Sequence, residues 1–172
     1  MEVISLLNHL DAPYEGLHQE GDFVTVECPE LQNLADRVNN VAQLVLKGNG
    51  FVYLNVDNQY IDDIEKDLPV QGEFKPISTK PRKMGAHISV IYEDEMISRE
   101  IWNLEEAGEW FNFKVKELRY IDRGSHRLWV LAVEAPGLEH LRTKYGLKAK
   151  LQGHDFHITL GYESLEVERD AA

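Results

Sequence analysis

The stretch His87-Ile88-Ser89-Val90-Ile91-Tyr92-Glu93 decides how this chain is read, because it returns seventy residues later as His157-Ile158-Thr159-Leu160-Gly161-Tyr162-Glu163. Both copies are rich in β-branched and aromatic residues and read as buried strands. In a strand the side chains at i and i+2 share a face, so each copy sets an imidazole beside a hydroxyl. By the same parity Ile88, Val90 and Tyr92, like Ile158, Leu160 and Tyr162, are expected to face the core. Two such strands facing each other gather two imidazoles and two hydroxyls around one cleft.

A single His-x-Ser/Thr tripeptide is weak evidence. With seven His and ten Ser plus Thr in 172 residues, about 0.4 such matches arise by chance. Either motif alone reads equally well as a sheet strand with a partly buried histidine. The shared frame carries the signal, since His, Ile, a hydroxyl residue, an aliphatic residue, Tyr and Glu recur in register.

The length suits one well-filled domain with internal pseudo-symmetry. The sole cysteine, Cys28, permits no intramolecular disulfide, which points to a reducing, cytoplasmic setting. Residues 1–14 lack the basic start and unbroken apolar run of a signal peptide, and no run reaches transmembrane length. No membrane partner is expected. The formal charge of −12 argues against binding long duplex nucleic acid. Its distribution is uneven. Residues 74–92 and 140–154 hold no acidic residue, yet they carry Lys75, Lys80, Arg82, Lys83, Arg142, Lys144, Lys148 and Lys150. Eight of the eighteen Lys plus Arg thus lie in the approaches to the two motifs. The expectation is a positive cleft in a negative surround, suited to a compact anion such as a nucleotide or an RNA end. The plainer reading is two solvated loops.

Along the chain, a strand is expected within residues 22–27, then an amphipathic helix from Pro29 to Gly48 with Leu31, Leu34, Val38, Val41, Leu44 and Val45 at helical spacing. A strand follows over residues 51–56 and a short helix over 59–68. A loop punctuated by Pro76 and Pro81 leads to the first motif. Residues 93–108 are acidic and partly helical. Residues 110–120 and 127–134 read as strands joined by a turn at Asp122-Arg123-Gly124-Ser125, and Pro136 opens a helix reaching Tyr145. Residues 1–50 are taken as an N-terminal extension, 51–165 as the core, and 166–172 as a frayed tail. The pattern fits an α+β fold with largely antiparallel sheets, and no dinucleotide or P-loop glycine pattern is present.

With these residues in view, the sequence resembles the 2H phosphoesterase superfamily, which is named for two His-x-Thr/Ser motifs at this kind of separation. The likeness extends through Phe113-Lys114-Val115-Lys116-Glu117-Leu118 and Arg127-Leu128-Trp129-Val130-Leu131-Ala132-Val133-Glu134 to the second motif, covering residues 51–164. Ser89 stands where Thr is commoner, which keeps the hydroxyl. The resemblance implies a bilobal fold of two pseudo-symmetric lobes around a central cleft, and metal-independent phosphodiester cleavage without a cofactor. One similar branch, the Swiss-army-knife RNA-repair-like proteins and phage anti-CBASS phosphodiesterases, acts on cyclic oligonucleotide signals.

The residue types suit that chemistry. One group must take a proton from the attacking oxygen and another must give one to the leaving oxygen, and imidazoles titrate near neutrality. His157 is assigned as base and His87 as acid. Ser89 and Thr159 donate to the phosphoryl oxygens, where charge develops. Lys80, Arg82, Lys83, Lys148 and Lys150 are the candidate phosphate contacts, and Trp102 and Trp110 the candidate base-stacking residues. Trp129 reads as core, and His9, His18, His126 and His140 as surface or structural. His154 and His157 are expected on opposite faces of a strand, which disfavours a zinc site. The rival class is a binding module that holds a nucleotide or RNA end without turnover; a metal-dependent nuclease is a weaker third.

Overall fold

The computed structural model describes residues 23–77 and 84–165. Lys80, Arg82, Lys83, the expected tail and residues 1–22 of the expected N-terminal extension lie outside the described residues. Among the described residues nine strands form one sheet: β1 (Val24–Val26), β2 (Val41–Leu46), β3 (Val52–Asn55), β4 (Phe74–Pro76), β5 (His87–Ile91), β6 (Trp110–Asn112), β7 (Lys114–Arg123), β8 (His126–Glu134) and β9 (Phe156–Ser164). The order is β1-β7-β8-β9-β5-β3-β2-β6, with β4 also paired to β9, and every pairing is antiparallel. The two motif strands are therefore neighbours at the middle, with three strands beyond each. They share one paired position, Ile88 with Ile158. Further along the same edge of β9, β4 takes the place of β5 and pairs Pro76 with Gly161.

The helices are short: α1 (Leu31–Arg37), α2 (Gln59–Ile64), α3 (Glu93–Ser98) and α4 (Pro136–Lys144). Among the described residues none is long and apolar enough to cross a membrane. α4 begins at Pro136 as expected and buries Leu138 and Leu141.

The helix expected from Pro29 to Gly48 is corrected: it stops at Arg37, and Val41–Leu46 is strand β2. Val38 is already extended, and the Asn39 side chain accepts the Val41 N–H, a local turn that competes with helix. Beyond it the alternation of buried Ala42 and Leu44 has period two, and β3 and β6 pair on either side. Residues 24–46 thus supply two strands to the common sheet. The strand expected over 110–120 breaks at buried Phe113, because β6 pairs with β2 while β7 pairs with β1 and β8 on the other side of the molecule.

Both motif strands contain a bulge at the same place. Val52 pairs with Ile91 and Tyr53 with Ser89, which leaves Val90 outside that ladder. Trp129 pairs with Gly161 and Val130 with Thr159, which leaves Leu160 outside its own. An extra residue reverses the parity beyond it. Tyr92 and Tyr162 therefore fall on the hydroxyl-bearing face, opposite to the face expected, yet both are buried among core residues as expected, Tyr92 within the main cluster. Tyr162 packs with Phe23, Ile121, Leu128 and Val130, a small cluster on that face. Ile88, Ile158, Val90 and Leu160 join the main core, a single cluster that runs from Leu31 to Leu160 across both flanks of the sheet.

Candidate active site

The site is built by the pairing of Ile88 with Ile158. In an antiparallel ladder the next positions on either side face each other, so His87 stands across from Thr159 and Ser89 across from His157. All four are on the face opposite to Ile88 and Ile158, and all four are buried. Each imidazole thus has its own motif's hydroxyl two residues along and the other motif's hydroxyl across the strand gap.

The two histidines have different surroundings. His87 Nδ1 donates to the Gly85 carbonyl at 2.9 Å, because a carbonyl oxygen only accepts. Nδ1 therefore carries a proton, which leaves Nε2 as the nitrogen that exchanges its proton with a substrate. Phe51 and Tyr53 meet the His87 ring edge-on, with centroids 6.3 and 5.9 Å away, and Phe51 stacks in turn on Tyr92 at 5.9 Å. Burial pushes the Tyr53 phenol up, so it stays a neutral hydroxyl. His157 has Phe23 at 6.1 Å.

His154 is corrected too. It precedes β9, capping a 3₁₀ turn at Leu151–Gly153, so strand parity does not govern it. Phe23 meets its ring edge-on at 5.4 Å, and His154 lines the same pocket as Ser89, Tyr92, Gln152, Asp155 and His157. Among the described residues no three His, Cys, Asp or Glu side chains converge as a metal site. Burial pushes the Asp155 carboxyl up, but the hydrogen bond and charge of Lys150, with Arg119, outweigh it and hold the group below its usual range.

Beside this pocket, and sharing Tyr92 and Gln152 with it, lies a groove of about 490 Å³ lined also by Asp94, Glu95, Ser98, Arg99, Arg142 and Lys148. The basic stretch beside it is largely neutralised, against the expectation of a wholly positive approach. Lys144 pairs with Glu105 and Glu106, Lys150 with Asp155, and Arg142 with Glu95. Lys148 makes no ion pair among the described residues. Both tryptophans expected to stack bases lie elsewhere. Trp110, 63 % exposed, sits on β6 at the outer edge of the sheet, and Trp102, 76 % exposed, borders a separate hollow with Leu46, Lys47, Glu93 and Ile97. Trp129 is buried as expected, its indole donating to Glu163.

The sequence reading missed Tyr92, His154, Phe23, Gln152 and Arg99. For Tyr92 the signal was its recurrence as Tyr162. For His154 it was the spacing to His157, set aside on strand parity, and Phe23, Gln152 and Arg99 depend on contacts between distant segments.

Compared with known proteins, the chain matches the family model described as Swiss Army Knife, 2H phosphoesterase domain, over residues 52–167. No curated protein and no solved structure matches.

Proposed function

Because the chain belongs to the Swiss Army Knife family of 2H phosphoesterase domains, whose activity is phosphodiester hydrolysis, we propose that it cleaves a small nucleotide phosphodiester by histidine acid-base catalysis without a metal. The observation that carries this reading is the convergence of His87, Ser89, His157 and Thr159 on one face around the Ile88–Ile158 pair. The sheet order, with motif strands at the middle and three strands beyond each, supports two related lobes that meet at the reaction centre.

In this scheme His157 takes the proton from the attacking hydroxyl or water, and His87 gives one to the leaving oxygen. The His87 Nδ1–H is held by the Gly85 carbonyl, so the proton transferred is the one on Nε2. Ser89 and Thr159 donate to the non-bridging oxygens as charge builds there. A cyclic oligonucleotide and a 2′,3′-cyclic phosphate at an RNA end both meet these requirements.

The test is turnover in excess EDTA on 2′,3′-cyclic mononucleotides, 2′-5′ and 3′-5′ dinucleotides, and cyclic di- and trinucleotides. His87→Ala and His157→Ala each lower kcat by about 10²- to 10⁴-fold, the range for a positioned acid or base. Wild-type kcat/KM follows a bell-shaped pH profile, and each variant loses one limb. Full activity in both variants contradicts the assignment, and nucleotide binding without turnover on any substrate favours the binding module.

A further inference from the structure

We infer that the groove beyond Tyr92 and Gln152 is a subsite for a second phosphate, held by Arg99 and Lys148, so that the preferred substrate is an oligonucleotide rather than a nucleoside 2′,3′-cyclic monophosphate. This subsite rests on the phosphodiesterase reading and extends it. Tyr92 and Gln152 line both the histidine pocket and the groove, so the two hollows adjoin. A volume of about 490 Å³ is in the range that takes a nucleotide-sized group.

The charge of the groove is selective. The chain carries −12 overall, and most cations near the site are matched by carboxylates. Arg99 and Lys148 both line the groove, both are exposed, and neither makes an ion pair among the described residues. Asp94 is also present, and its carboxylate accepts the Glu95 N–H. A guanidinium and an ammonium beside one groove suit a phosphate, the guanidinium by paired donation and the ammonium as a point charge.

The walls are fixed from beneath. Arg142 is 1 % exposed, and its Nε donates to the Lys148 carbonyl at 2.7 Å. Its Nη1 donates to the Val90 carbonyl at 2.8 Å, and Nη1 and Nη2 grip the Glu95 carboxylate at 3.0 and 2.7 Å. One buried guanidinium therefore ties α3, which leads into Arg99, to the backbone of Lys148 and to the bulge beside Ser89. Gln152, at the junction, has φ of 53°, a left-handed conformation that a non-glycine residue holds only under constraint.

The test compares kcat/KM on a 3′-5′ linked trinucleotide, linear and cyclic, with that on a 2′,3′-cyclic mononucleotide. The wild type favours the longer substrates, and Arg99→Ala and Lys148→Ala each lower that ratio about tenfold, the loss of one charge-assisted contact. Lys47→Ala, beside the other hollow, leaves the ratio where it was. A ratio unmoved by Arg99→Ala and Lys148→Ala overturns the subsite while the phosphodiesterase reading stands. If nothing is turned over, calorimetry decides: a 5′-phosphorylated dinucleotide binds the wild type about tenfold more tightly than adenosine 2′-monophosphate, and the double variant loses that advantage. Equal preference in both proteins overturns the subsite, and a difference between the linear and cyclic arms names which form the groove accepts.

Discussion

At the scale of single residues, the two glutamates that close the motifs share a sequence position and differ in environment. Glu163 accepts the N–H groups of Gln71 and Gly72 at 2.7 and 2.8 Å and the Trp129 indole at 3.0 Å. Burial pushes its carboxyl up, but these donors and Arg127 outweigh it and hold the group below its usual range. Glu93 has a buried Oε1 with no hydrogen-bond partner among the described residues, and burial, with Asp94, pushes its carboxyl up. A depressed carboxylate contributes stability above its unfolded pKa and loses it as pH falls through the folded value. Glu163→Gln therefore costs about 1–3 kcal/mol at pH 7. In urea unfolding the gap from wild type narrows as pH falls below about 4, because the unfolded carboxyl then binds a proton that the folded one takes up only at lower pH. A gap of equal size at pH 7 and pH 3 contradicts this role.

At the scale of elements, Gly161 shows why the second copy of the motif departs from Ile91 in the first. A Cβ there meets the Lys75 carbonyl oxygen at 2.3 Å and Pro76 Cα at 2.8 Å, both backbone atoms of β4. Gly161→Ala must push β4 off the edge of β9, at a cost of about 1–3 kcal/mol for overpacking, read by the urea midpoint. A midpoint within 0.2 M or so of wild type shows that β4 yields freely. The motif strands, α2, α4 and the β7–β8 hairpin were legible in the sequence because each has a local signal: β-branched runs, Pro136 at a helix start, and Gly124 with φ of 58° in the turn. β2 was not, because Val41, Leu44 and Val45 satisfy helical spacing and only pairing with β3 and β6 decides otherwise. The bulges were not, because an unpaired residue is defined by the partner strand. The four site residues were legible through duplication, while the groove is assembled from α3, the bulge and the loop after α4.

At the scale of the whole molecule, one apolar cluster underlies both flanks of the sheet. Leu44 of β2 and Leu131 of β8, on opposite flanks, both belong to it, and the helices cross between flanks, α1 packing on β7 and α4 on β5 and β6. Far- and near-UV circular dichroism should report one coincident urea transition, the mark of a cooperative unit. Two separated midpoints mean that the flanks unfold independently. The uneven charge seen in the sequence resolves here into local pairs, with Lys144, Lys150 and Arg142 each answered by carboxylates across the fold. The lone rung between Ile88 and Ile158 gives this shared core a mechanical meaning. His87 and His157 each sit one residue from it, on strands whose other partners, β3 and β8, belong to opposite flanks. The reach between proton donor and proton acceptor is therefore set by how the two halves lean on each other, and packing changes far from the histidines should retune it.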